Sequence, residues 1–217
     1  MTIREVLLNI YNKKGMTIMS ATDTFKFGFK SGQIAQLGFG VTDVERAIDI
    51  YISQFHIGPW RYIHRTSAKG GDIFRGVQNP PDEPVDKVLA MAWGGTYFVE
   101  LIQQFSGEPS CVKEHGDYYG YGLNHYGYFF KPGGEYDRKL AELESFGYEA
   151  VFSGITPFGS RSTYMGPKTR EDMDILAYNF GVGYIEAVEL VPEDEDMWYG
   201  LYEAARNWDG KTRMFAE

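Results

Sequence analysis

The stretch from Gln33 to Val41, QIAQLGFGV, reads as a half-buried strand, and it carries an amide, Gln36, among apolar neighbours. Burying that amide unpaired would cost about 1–3 kcal/mol. Gln36 therefore either faces solvent or binds something. Thr42, with Glu45 three residues on, forms a capping-box signal for a helix. Val44, Ala47, Ile48, Tyr51, Ile52 and Phe55 then recur at helical spacing, and Gly58 supplies a stop. Beyond it the chain reads as strands: RYIHRT (61–66), a Gly/Pro/Asp-rich excursion from Lys69 to Asp86, then KVLAMAW (87–93) and TYFVELIQQ (96–104) separated by Gly94-Gly95. The first half is thus β-α-β-β-β.

The second half repeats the order. A strand GLNHYGYFF (122–130) leads to a helix EYDRKLAELESFG (135–147) that ends at a glycine. EAVFSGI (149–155), RSTYMG (161–166), MDILAY (173–178) as a further candidate, and GYIEAVEL (183–190) complete it. Overlaying QLGF on HYGY pairs Gln36 with His125, and overlaying FVEL on YIEA pairs Glu100 with Glu186. The two offsets nearly agree, which indicates an internal duplication. The chain divides into an N-terminal extension (1–30) that no pattern places, a first βαβββ module (31–110), an inter-module linker (111–121), a second module (122–191), and a C-terminal helix and tail (192–217). In that last segment Met197, Leu201, Ala205 and Trp208 share one face. The helix either covers the sheet edge or serves a homodimer contact. The fold class is α+β: paired βαβββ modules in a curved mixed sheet around a cavity.

Composition narrows the function. A net charge of −9 offers no basic face for nucleic acid and no polybasic patch for a membrane. The N-terminal apolar run, within MTIREVLLNIYNKKG, is too short to span a bilayer. One cysteine, Cys111, makes neither an internal disulfide nor a thiolate zinc cluster, so a reducing, cytoplasmic setting is expected.

If the first and last strands of each module lie side by side, Gln36, Glu100, His125 and Glu186 converge on one concavity. An amide oxygen, two carboxylates and an imidazole form a mostly hard donor set, suited to Mg, Mn, Co, Ni or Zn. Taken singly, each has a plainer reading: a glutamate near a strand end is usually solvated, and a lone sheet histidine is usually just hydrogen-bonded. Other candidates are less specific. His64, in the second strand, could face the cavity, whereas His56 sits where a cation complements the helix dipole and His115 reads as a surface residue of the linker. Tyr118, Tyr119, Tyr121, Tyr126 and Tyr128 either wall a cavity for a ring-bearing substrate or pack the core. Trp60 and Trp93 share that ambiguity. Glu189, three residues from Glu186, falls on the opposite face and is expected to be solvated.

The phrases IAQLGFGVTDVERAIDIYISQFHIGPW, YFVELIQQ, GYGLNHYGYFF and GVGYIEAVEL together resemble the vicinal oxygen chelate superfamily, including its glyoxalase-like and methylmalonyl-CoA epimerase-like members. The resemblance covers about Gln33 to Leu190. It implies paired βαβββ modules around a divalent metal (Zn, Ni, Co, Mn, Mg or Fe) held by Gln36, Glu100, His125 and Glu186, a ligand set like that of glyoxalase I. It also implies Lewis-acid stabilisation of an enolate or oxyanion on a small carbonyl substrate, with Glu186 as first choice of base and Glu100 as second. His64, Trp60, Trp93 and Tyr121 are the candidate substrate contacts. Gly40 stands where glutathione-using members carry an arginine, and a glycine cannot pair with a carboxylate. The GPW after the first helix and the WDG near the end resemble glyoxalase-like bacterial proteins. A ring-cleaving extradiol dioxygenase is the first alternative, although such iron sites use two histidines and one carboxylate and Gln36 stands in the first histidine's place. A metal-free binding or resistance protein is the second, although it has no need of two inward carboxylates. Specificity is expected in the loops Lys69 to Asp86 and Thr156 to Ser160.

Overall fold

The structure, a computed structural model, describes residues 23–66, 73–78, 80, 82–156, 158–169 and 183–215. The first module runs β1 (Gln33–Gly40), α1 (Val44–Phe55), β2 (Arg61–Thr66), β3 (Ile73–Phe74), β4 (Val77–Gln78), β5 (Asp86–Trp93) and β6 (Phe98–Ser106). After α2 (Cys111–Tyr119), the second module runs β7 (Gly122–Phe130), α3 (Glu135–Ser145), β8 (Tyr148–Ile155), β9 (Arg161–Pro167) and β10 (Tyr184–Glu189), and α4 (Pro192–Arg206) closes the chain's helices. The strands form one curled mixed sheet in the order β2-β5-β6-β1-β7-β10-β9-β8-β3-β4. Its centre is the antiparallel pair β1–β7, flanked by β6 parallel to β1 and by β10 parallel to β7.

Strand alternation divides the sheet into two faces. Outward go Val88, Ala90, Ala92, Val99 and Leu101, covered by Val44 and Ile48 of α1. Phe130 and Ala187 likewise lie under Tyr136 and Leu140 of α3. The residues between them point inward. One end of the inner face is filled by Met91, Phe98, Phe129 and Val188 against Phe25, Phe27, Trp198 and Leu201. The other end is filled by Ile102, Tyr164 and Tyr184 against Phe74, Cys111 and Val112. Burying each such large apolar side chain contributes about 1.5–3 kcal/mol. Between these two apolar plugs sits a row of polar residues.

Several expectations are corrected. The cap of α1 is Asp43, not Thr42: its side chain accepts the Arg46 N–H at 3.0 Å, while the Thr42 carbonyl is taken by Gln103 Nε2 at 2.9 Å. The helix ends at His56 in the left-handed region, two residues before Gly58. The inter-module linker forms α2, capped by Ser110, and His115 is buried against Tyr119 and Tyr184 instead of lying at the surface. Burial pushes the His115 imidazolium down. The excursion of 69–86 contains the short hairpin β3–β4, which crosses to the second module and pairs with β8 through Phe74 and Phe152. Arg75 fastens it there, gripping Glu114 of α2 through Nε and Nη2 at 3.0–3.1 Å and the Pro167 carbonyl at 2.7 Å.

Of the N-terminal extension, residues from 23 onward pack two phenylalanines into the core. Residues 1–22 and the candidate strand MDILAY lie outside the described residues. The C-terminal helix covers one end of the inner face, not the sheet edge, and its anchors are Trp198 and Leu201, with Met197 at the cluster's margin. Trp208 leaves the helix and rests on Gly58, where a Cβ would stand 2.7 Å from its ring. The GPW and WDG phrases are thus two halves of one packing contact. Among the described residues no helix is long and apolar enough to cross a membrane.

Candidate metal centre

The two modules place their polar residues by one rule applied twice. Gly38 on β1 is the register partner of His125 on β7 and of Glu100 on β6. Gly127 on β7 is the partner of Gln36 on β1 and of Glu186 on β10. Each glycine leaves room for the side chain of the facing strand: a Cβ at Gly38 would fall on the His125 ring, and one at Gly127 would stand 2.9 Å from Gln36 Oε1. All four polar residues are consequently on the inner face and buried. The register slips once beside each first-strand residue, leaving Ala35 and Asn124 as extra residues before Gln36 and His125.

The second slip matters for chemistry. It brings Asn124 Oδ1 to 3.0 Å from His125 Nδ1, so Nδ1–H donates to the amide oxygen and Nε2 is turned the other way, toward the carboxylates. Nε2 lies 3.4 Å from Glu100 Oε2 and 3.4 Å from Glu186 Oε2. Among the described residues neither Nε2 nor Glu100 Oε2 has a hydrogen-bond partner, although both are buried. The other Glu186 oxygen accepts from Ser162 Oγ at 2.6 Å. Burial pushes the His125 imidazolium down, but the two carboxylates of Glu100 and Glu186, each 3.4 Å from Nε2, favour the charged ring, outweigh it and lift the group to about 9. The phenol of Tyr164, edge-on to His125 with ring centroids 5.0 Å apart, is held protonated by burial and by the two carboxylate charges.

Ligand atoms of Glu100, His125 and Glu186 all lie within 4.8 Å of one another. Two buried carboxylates are balanced by one divalent cation, and the orphaned Nε2 and Oε2 are the atoms such an ion would satisfy. With no thiolate among the donors, the set fits a hard or borderline ion.

Residues 35–165 match the family described as the glyoxalase/bleomycin resistance protein/dioxygenase superfamily. The chain belongs to this superfamily. Among solved structures it is similar to a methylmalonyl-CoA epimerase from Mycobacterium tuberculosis, at 18% identity and a TM-score of 0.45 over 82% of this chain and 97% of that one. A hypothetical protein from Bacillus halodurans C-125 gives 18%, 0.46, 75% and 96% for the same measures. A methylmalonyl-CoA epimerase in complex with methylmalonyl-CoA and NH4+ gives 16%, 0.44, 75% and 97%. No curated protein sequence matches the chain.

In this member of the superfamily, several candidate substrate contacts are not at the centre. Trp60 lies beneath α1, packed on Tyr51, because its place in the chain puts it on the outer face. His64 is paired with Val88, an outward position, and stands exposed with Nε2 2.6 Å from Asp86 Oδ1. Trp93 does face inward, but its ring is packed between Phe98 and Tyr202 at the α4 end. Tyr121 stands at the rim with its ring over Gly40. The space beside Gly40, where glutathione-using members carry an arginine, thus belongs to Tyr121 and Val112. Of the remaining tyrosines, Tyr118 is exposed, Tyr119 packs at the margin of the inner cluster and Tyr128 lies under α3. Glu189 faces outward as alternation requires, but it is ion-paired with Arg161 at 2.9 Å and not free in solvent. The residues missed by sequence reasoning are Gly38, Gly127, Asn124, Ser162 and Tyr164. The two glycines were visible in the overlay of QLGF on HYGY.

Proposed function

We propose that this chain is a metal-dependent enzyme of isomerase, epimerase or lyase type, holding a divalent ion on Gln36, Glu100, His125 and Glu186. Its substrate is a small carbonyl-containing molecule. The observation that carries this reading is the buried pair of partnerless atoms, Glu100 Oε2 and His125 Nε2, facing each other at 3.4 Å. Leaving such groups unsatisfied costs about 1–3 kcal/mol each, more where charged, so the space between them calls for a positive charge: a proton on Nε2 in the metal-free protein, and the divalent ion in its place when loaded.

A bound divalent ion supplies Lewis-acid stabilisation to charge developing on a carbonyl oxygen, worth several kcal/mol. The chain's residues do the rest. Asn124 fixes the His125 tautomer, the apolar clusters on either side keep water from the carboxylates, and low local dielectric strengthens each charge interaction there. Glu186 takes the proton next to the carbonyl and returns it, a role that typically contributes about 10²–10⁴-fold.

The test is elemental analysis of protein purified without chelator, comparing wild type with His125→Ala and Glu100→Ala. A stoichiometric divalent ion is expected in wild type and a depleted one in both variants. Metal-free wild type that takes up no added ion would end this reading. Solvent deuterium entering a substrate identifies enolisation; oxygen consumption would instead identify a dioxygenase.

A further inference from the structure

Glu100 and Glu186 occupy matching places in the two modules, yet their neighbours differ. Opposite Glu100 on β5 stands Met91, with Leu89 two residues along on the same face. Opposite Glu186 on β9 stands Tyr164, with Ser162 two residues along. A thioether and an isobutyl group give a carboxylate no hydrogen bond; two hydroxyls do. Ser162 Oγ donates to Glu186 Oε1 at 2.6 Å, while Oε2 faces His125 Nε2 at 3.4 Å. Glu100 Oε2 has no such partner among the described residues.

From this difference we propose that Ser162 is a positioning residue that makes the two carboxylates unequal. It holds Glu186 by one oxygen, so that only the other is presented to the cation. Met91 and Leu89, at the matching places of the first module, offer Glu100 no hydroxyl of this kind. The Ser162 hydroxyl therefore fixes the rotamer in which Glu186 meets the ion, and Glu100 is oriented without such a group. The inference rests on the metal reading of the preceding subsection.

The experiment is titration of the metal-free full chain with Co(II) alone, monitored by its visible absorption and by calorimetry. Ser162→Ala should weaken Co(II) binding about 10–100-fold, the usual effect of removing a group that orients a ligand. Ser162→Thr, which keeps the hydroxyl, should restore binding. In a Glu186→Gln background Ser162→Ala should add no further loss, because the hydroxyl acts only through that carboxylate. Leu89→Ala, at the matching place of the first module, should leave Co(II) affinity near that of wild type.

Wild-type affinity in Ser162→Ala, a loss that persists in Glu186→Gln, or an equal loss in Leu89→Ala would overturn the proposal. Wild type that binds cobalt while Ser162→Ala binds it equally well overturns this inference alone. Wild type that binds no cobalt overturns the metal reading and this inference together.

Discussion

The imidazole of His125 lies across Gly38 of the facing strand, in the volume that a side chain at that position would fill. Any Cβ there displaces the ring, and with it the aim of Nε2 toward Glu100 and Glu186. Overpacking of this kind costs about 1–3 kcal/mol. Gly38→Ala should therefore lower the melting temperature and deplete bound metal as severely as His125→Ala does, with far-UV circular dichroism unchanged. Full metal content in Gly38→Ala would show that the glycine is dispensable.

That relationship marks where the sequence was legible and where it was not. Gln36, Glu100, His125 and Glu186 could be read because each is a polar residue in an apolar strand and each recurs in the duplicate. Gly38 and Gly127 lay between them in the same alignment, but a glycine announces no chemistry; its meaning is the side chain of another strand. Trp60 and His64 were misplaced for a different reason. Parity decides which face a strand residue occupies; for His64 it is set by the register of β2 on β5, and Trp60, one residue before β2, is bridged to Met214 at the far end of the chain, so no local pattern reveals either face. The hairpin β3–β4 was invisible because its partner is β8 in the other module. The helix α2 gave no signal inside the linker because Gly116 lies within it and Gly120 just after it.

Arg75 ties the first module to the second through Glu114, and Tyr184 donates to the same carboxylate at 2.7 Å. Both members of the Arg75–Glu114 pair are largely buried. Arg75→Ala leaves Glu114 without its counter-charge, and breaking such a pair costs about 3–5 kcal/mol. The expected outcome is a lower urea midpoint together with faster amide exchange over residues 73–78. An unchanged midpoint would mean the clip contributes nothing net.

Cys111 lies inside the apolar cluster beneath α2, and burial lifts its thiol to about 12, opposed only in part by the charge of Lys87. A thiol without thiolate character is a poor nucleophile. Native protein should react with a thiol reagent such as Ellman's only as fast as it unfolds, with one equivalent released in denaturant. Rapid labelling of the native state at neutral pH would contradict this burial.

His125 gives the metal-free protein a pH dependence of known sign. Its folded value, about 9, exceeds the ordinary value of 6.5 that applies to the unfolded chain. Between these two values the folded state holds a proton that the unfolded state has released, so stability falls as pH rises. The contribution is complete below about pH 6.5 and lost above about pH 9, and it amounts to a few kcal/mol on the scale of about 1.4 per unit. A bound cation takes the place of that proton, so the loaded protein should lack the slope, and ion uptake below pH 9 should release a proton to the buffer. Urea denaturation at pH 6, 7.5 and 9, with and without chelator, checks the first claim; calorimetry in buffers of different ionisation enthalpy checks the second. The decisive comparison is metal-free His125→Ala, which should be flat across the same range. If it declines as steeply as metal-free wild type, the proton does not reside on His125, and the electrostatic account of the centre fails with it.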